Sequence, residues 1–81
     1  MYTKIDFGKE LKEQVRQKTE IAHIGCWVYS IYSKHMLEIA LKLRDLLLTL
    51  AMLELGPEFE RSYEELDSIA ESLIAGEDVQ L

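Results

Sequence analysis

The segment spanning residues 36–55 has helical spacing and is apolar on two of its faces rather than one. A first stripe consists of Met36, Ile39, Ala40, Leu43, Leu46, Leu47, Leu50 and Leu53. A second stripe consists of Leu37, Leu41, Leu48, Met52 and Leu55. The polar strip between them holds only Glu38, Lys42, Asp45 and Thr49. A surface helix needs a single apolar stripe, so the sequence predicts that one stripe folds the chain and the other contacts a second copy.

A chain of 81 residues forms one domain at most, which we assign to residues 1–81. A chain of this size buries only about 60–65% of the surface that its unfolded form exposes. The single cysteine, Cys26, excludes an internal disulfide, so oligomerisation is the expected support. We therefore predict an all-α helical bundle of two long or three helices, assembled as a homo-oligomer, in the simplest case a dimer.

Helix signals divide the chain unevenly. Pro57 suits the first position of a helix and Gly76 its C-terminal stop, which predicts a helix over 57–75 and a tail over 76–81. Asp6 is a candidate N-cap for a helical pattern that keeps one phase through residues 6–55. Two alternatives are open there, a continuous helix or a break near 30–35. Residues 26–32 also have the composition of a strand, although no second strand is available to pair with them.

Apolar positions outside the main core face predict the oligomer interface. Ile24, Trp27 and Ile31 extend the surplus of apolar surface towards the N-terminus of the chain. Tryptophan is also enriched in interface hot spots. The predicted interface consists of Ile24, Trp27, Ile31, Leu37, Leu41, Leu48 and Met52.

The net charge of −6 is concentrated in the last third of the chain. Residues 56–81 carry one basic side chain and eight acidic ones, whereas the rest of the chain is nearly balanced. Such a surface repels phosphates, so we expect no binding of nucleic acid and a possible basic protein partner for the segment 57–78. We also expect the basic face near Lys9, Lys12 and Arg16 to oppose the acidic last helix across the dimer.

Few residues have the spacing of a chemical site. Glu20-Ile-Ala-His23 matches the Glu-x-x-His spacing of di-iron carboxylate bundles, and both side chains would be metal ligands. His23 and Cys26 have a zinc-compatible spacing but supply only two ligands. We predict no catalytic residue and no cofactor. The predicted function is that of a small acidic helical protein for protein–protein interaction or regulation, and the alternative is a metal-binding bundle that uses Glu20 and His23.

Hydropathy argues against a membrane protein. The longest strongly apolar stretch, residues 46–53, is eight residues long, whereas a membrane span needs about 20. The first residues contain no apolar signal region, and a lone thiol suits a reducing compartment. These features predict a cytoplasmic protein.

Overall fold

The structure of the chain, a computed structural model, describes residues 2–55 and 61–80, except for the side chain of Glu54. In these two ranges the regular structure is entirely helical, without a strand. The elements are α1 (Lys4–Arg16), α2 (Ile21–His35), α3 (Leu41–Ala51), a 3₁₀ turn (Met52–Leu55) and α4 (Tyr63–Ile74). The predicted all-α class is confirmed, whereas the predicted count of two long or three helices is too low.

Helix α1 begins earlier than the sequence predicts. Thr3 is its N-cap, and the Thr3 hydroxyl accepts a hydrogen bond from the backbone N–H of Asp6 at 3.2 Å. The Asp6 carboxylate accepts the backbone N–H of Thr3 at 2.9 Å in return, which completes a capping box. Asp6 is therefore the third residue of the helix rather than its N-cap.

Helix α1 ends at a lysine in the left-handed conformation. Lys18 has a φ of 57°, and its N–H donates to the carbonyl of Val15 at 3.0 Å. The N–H of Thr19 donates to the carbonyl of Gln14 at 3.1 Å. These two bonds form a Schellman motif, whose left-handed residue is usually glycine. Because lysine stands there instead, the sequence pattern did not predict this break.

Helices α2 and α3 are separated by a turn at residues 36–40. The backbone N–H groups of Glu38 and Ile39 both donate to the carbonyl of His35, at 2.9 and 3.2 Å. The Arg44 guanidinium of α3 donates to the carbonyl of Met36 at 3.0 Å, which satisfies the end of α2. A continuous helix over 6–55 would be about 75 Å long. The longest dimension of the molecule, 30 Å, rules that alternative out.

Helix α4 is bounded by a cap at each end. The Ser62 hydroxyl accepts the N–H of Glu65, so α4 begins at Tyr63. The predicted start at Pro57 lies outside the described residues. At the other end Gly76 has a φ of 90° and donates to the carbonyl of Leu73 at 3.0 Å. Gly76 thus ends the helix at a position where a Cβ would be strained.

Two helix pairs enclose one hydrophobic core. Helix α1 packs against α4, and α2 packs against α3 and the 3₁₀ turn. The buried part of the first stripe consists of Ile39, Leu43, Leu46, Leu47, Leu50 and Leu53. It joins a cluster that includes Phe7, Leu11, Ile24, Val28, Leu66, Ile69, Ala70 and Leu73. The first stripe therefore folds the single chain.

Gly8 lets α1 and α4 approach each other closely. A Cβ at this position would lie 3.0 Å from the carbonyl oxygen of Ala70 and 3.0 Å from the Cβ of Leu73. The Cγ1 atom of Ile74 would be 3.1 Å away. The contact between the two helices therefore depends on the absence of a side chain at Gly8.

Candidate interaction surface

The second stripe lies on the outside of α3 and of the segments next to it. Leu37, Leu41 and Leu55 are 94%, 67% and 64% exposed. Leu48 and Met52 are 42% and 38% exposed. We call these five side chains the α3 surface. Burial of apolar surface stabilises by about 25 cal/mol per Å², so exposed apolar side chains gain free energy when a partner covers them. A row of such side chains is typical of a contact surface.

An apolar groove lies beside the C-terminal half of α3. Its volume is about 240 Å³. Its lining residues are Tyr29, Leu48, Ala51, Met52 and Leu55. Tyr29 comes from α2 and is itself 54% exposed, so the groove is open to a side chain from another molecule. The α3 surface is thus a ridge with a groove along one part of it.

The three predicted interface residues on α2 all pack against the core of the monomer. Ile24 is completely buried within the chain, so the prediction that it contacts a partner is wrong. Trp27 stacks on Phe7 with ring centroids 5.4 Å apart. Trp27 and Ile31 are partly buried and pack against the core cluster. The prediction for Ile24 is wrong because the phase of α2 was counted on from α1, whereas the helix is interrupted at residues 17–20.

The basic face of α1 meets the acidic α4 within one chain. The Nζ atom of Lys12 lies 3.0 Å from Asp67 Oδ1 and also bonds to Glu71. The Nζ atom of Lys4 lies 2.9 Å from Asp78 Oδ1. The bonds to Glu71 and Asp67 raise the pKa of Lys12, and the bond from Lys4 lowers the pKa of Asp78. The pairing that we expected across a dimer is therefore formed inside the chain, at least for Lys12.

Other charges near this pair are also matched locally. Arg16 lies 3.7 Å from Glu13 of its own helix rather than opposite α4. Arg61 lies 3.4 Å from Glu65. Much of the acidic charge in the described part of the segment 57–78 is thus used within the chain. A basic protein partner for that segment stays a prediction.

Glu20 and His23 form a pair on the surface near the start of α2. His23 Nδ1 lies 3.7 Å from Glu20 Oε2, and both side chains are largely exposed. Cys26, one turn further on, is exposed as well. Over residues 2–55 and 61–80, no three His, Cys, Asp or Glu side chains come together at a spacing that would hold a metal ion. The pair can act as an ion pair when His23 is protonated.

A polar cluster around Tyr2 fastens the N-terminal segment to the turn between α2 and α3. The backbone N–H of Tyr2 donates to Glu38 Oε1 at 2.7 Å, and the Tyr2 hydroxyl donates to Glu10. The Tyr2 ring stacks on His35 with centroids 4.3 Å apart, and His35 Nδ1 lies 3.1 Å from Glu38 Oε1. Burial and the bond to Glu10 raise the pKa of Tyr2. The hydrogen bond from the Tyr2 N–H lowers the pKa of Glu38, and the contact with His35 lowers it further.

Sequence reasoning missed this cluster. Tyr2 and Glu38 are 36 positions apart, and no motif or period links them. The cluster joins the segment before α1 to the turn between α2 and α3. Its contacts therefore hold this turn in place and do not indicate a chemical activity.

Comparisons with known proteins add no functional assignment. No protein-family model, curated protein sequence or solved structure matches the chain. Among the helices of the described ranges, none has the length and apolar character to cross a membrane. The function proposed for this protein therefore rests on its own surface.

Proposed function

We propose that this protein is a small helical interaction module that binds a second copy of itself through the α3 surface. The observation that carries the proposal is that the whole second stripe is exposed while the opposite face of the same helix is buried. A helix with this distribution uses one face for the core and offers the other to a partner. The module carries no chemistry of its own in this proposal, and its role is interaction or regulation.

The folded monomer is the unit that associates. Its accessible surface is 4982 Å², and a compact monomer of its mass has about 5000 Å². The core is therefore enclosed without a partner, and we replace the expectation of an obligate oligomer by a reversible one. The exposed lone thiol of Cys26 also suits a reducing, cytoplasmic setting.

The size of the α3 surface suits a weak dimer. Full burial of a leucine-sized side chain stabilises by about 1.5–3 kcal/mol, so the exposed fractions of two copies correspond to roughly 9–18 kcal/mol in total. Loss of translational and rotational freedom opposes this gain by about 4–15 kcal/mol. The two ranges overlap, so a surface of this size suits a reversible dimer rather than a permanent one.

The alternative function, a metal-binding bundle, has weaker support. Glu20 and His23 would supply two ligands, and a structural metal site in proteins usually takes four. The α3 surface lies on other helices, so dimerisation through it carries no argument for a metal at this pair. We therefore do not propose the metal-binding function.

Sedimentation equilibrium of the full chain tests the proposed function. We expect a monomer–dimer equilibrium between about 1 and 100 μM protein, the range of a micromolar Kd. Replacing both Leu41 and Leu48 by lysine should give a monomer at every concentration. The circular dichroism should not change, because both side chains are exposed and the core does not use them.

A matched control adds the same charge elsewhere. Gln17→Lys with Ser68→Lys changes two exposed positions near α1 and α4, and this variant should associate like the parent chain. A parent chain that stays monomeric throughout the range, or a Leu41→Lys, Leu48→Lys variant that still dimerises, would overturn the proposal.

A further inference from the structure

Four side chains of the α3 surface form a nearly straight ridge along α3 and the 3₁₀ turn, namely Leu41, Leu48, Met52 and Leu55. Leu41 and Leu48 are seven residues apart, and Leu48 and Met52 are four apart, which are spacings of one helix face. Leu55 follows in the 3₁₀ turn, where side chains three residues apart eclipse each other. The change from α to 3₁₀ geometry therefore keeps Leu55 in line with Met52.

The ridge is nearly symmetric about Leu48. At 1.5 Å per residue, Leu41 precedes Leu48 by about 10.5 Å along the axis. Leu55 follows Leu48 by about 12 Å, because the last three steps are 3₁₀. A two-fold interface uses the same patch on both copies, so residue i meets residue j and j meets i. Antiparallel pairing thus matches Leu41 with Leu55 twice and Leu48 with its own copy.

Asp45 distinguishes antiparallel from parallel pairing. This exposed residue lies four positions after Leu41 and three before Leu48, so it borders the ridge on the side of the polar strip. In a parallel pair the two Asp45 carboxylates would face each other, and like charges in contact disfavour an interface. In an antiparallel pair the two carboxylates are separated by about 9 Å along the axis.

The groove beside Tyr29 accommodates a side chain in this arrangement. The groove lies at the C-terminal half of α3, between Tyr29 and Leu55. Antiparallel pairing directs Leu41 of the other copy, which is 67% exposed in the monomer, towards this end of the ridge. In a parallel pair Leu41 would face its own copy, away from the groove.

We propose that two copies pair antiparallel along α3, with the two-fold axis at Leu48 and with Leu41 of each copy in the groove of the other. The inference rests on the proposed self-association and adds its orientation and register. The apolar spacing, the position of Asp45 and the groove each favour it.

Disulfide cross-linking of single-cysteine chains tests the orientation. In a Cys26→Ser background, Leu48→Cys should form a covalent dimer with itself under mild oxidation. Leu41→Cys alone and Leu55→Cys alone should form little, whereas an equal mixture of the two should link. The parent chain with Cys26 measures collisional cross-linking, and we expect the productive pairs to react at least about tenfold faster, because association raises the effective thiol concentration.

The possible outcomes separate the two proposals. Self-linking of Leu41→Cys without linking of the mixture would show a parallel pair and overturn the inference. A sedimenting dimer in which none of the three variants exceeds the Cys26 rate would show that another surface is used. A Cys26→Ser chain that remains monomeric would overturn the proposed function itself.

Discussion

The ring of Phe7 in α1 stacks on the indole of Trp27 in α2, with centroids 5.4 Å apart and planes inclined by 8°. Phe7 is completely buried, and Trp27 is partly buried beside it. Because α1 packs mainly on α4 and α2 mainly on α3, this stack joins the two helix pairs. Trp27 therefore contributes to the packing of the monomer.

Truncation of Trp27 should destabilise the monomer without affecting the contact between copies. We expect Trp27→Ala to lower the free energy of unfolding by about 3 kcal/mol, since a large aromatic side chain leaves the core. Trp27→Phe keeps an aromatic ring on Phe7 and should cost less, about 1 kcal/mol. Urea unfolding followed by circular dichroism measures both. A Trp27→Ala chain that is as stable as the parent but no longer dimerises would contradict this assignment.

A methyl group at Gly8 should weaken the packing of α1 on α4. The new Cβ would lie 3.0 Å from the Ala70 carbonyl oxygen, which is backbone and cannot rotate away. The steric cost of the added methyl group is about 1–3 kcal/mol, and the gain in helix propensity is about 1 kcal/mol. We therefore expect Gly8→Ala to lower the free energy of unfolding. Thermal unfolding checks the sign.

Ala22→Gly provides the matched control for Gly8→Ala. Ala22 is exposed in α2, so the reverse substitution there should cost only the propensity term of about 1 kcal/mol. If Gly8→Ala raised the unfolding temperature while Ala22→Gly lowered it, propensity alone would govern both sites and the close approach would be wrong.

Glycine should suit the backbone conformation at position 18 better than a residue that has a Cβ. Its φ of 57° is costly for a residue with a Cβ, and its ammonium lies 5.3 Å from the centroid of the Tyr63 ring. Lys18→Ala and Lys18→Gly both remove the ammonium, so their difference isolates the backbone. We expect the glycine variant to be more stable than the alanine variant by about 1 kcal/mol. Equal urea midpoints for the two variants would contradict the left-handed conformation.

Alkaline pH should destabilise the fold through two groups. Burial and the bond to Glu10 raise the pKa of Tyr2, and the bonds to Glu71 and Asp67 raise that of Lys12. The folded chain therefore holds these protons more tightly than the unfolded chain. Their stabilisation is complete below about pH 10 and is lost as the pH rises through the raised values. The urea midpoint of the parent chain should fall as the pH rises above about 10, and this fall should be smaller in the Tyr2→Phe, Lys12→Met double variant. An equal fall in both chains would refute this explanation.

Acidic pH should destabilise the fold through carboxylates. The N–H of Tyr2 and then His35 lower the pKa of Glu38, and Lys4 lowers that of Asp78. Their stabilisation is complete above about pH 4.5, the ordinary pKa of a glutamate, and is lost as the pH falls through the lowered values. Glu38→Gln retains an oxygen that can accept the Tyr2 N–H but has no charge to titrate. Its midpoint should fall less between neutral and acidic pH than that of the parent, and an identical fall would exclude Glu38 as a contributor.

The helical class and the two faces of α3 were predictable from the spacing of apolar residues. Residues three or four apart share a helix face, so the spacing alone separated the first stripe from the second stripe. The structure buries most of the first stripe and exposes all of the second. Gly76 was also predictable as the stop of α4, because glycine tolerates the left-handed conformation there.

The positions of the helix breaks, and the faces of α1 and α2 that are buried, depend on contacts between distant segments of the chain. The turn after α2 is held by Tyr2, 36 positions away from Glu38, and α1 is joined to α4 by Lys12 and Asp67, 55 positions apart. Periodicity reports only neighbours within a few turns, so a matching phase on both sides of residues 36–40 suggested one helix where two exist. Contacts between distant segments depend on how the helices pack, and that packing depends on the shapes of all the side chains together.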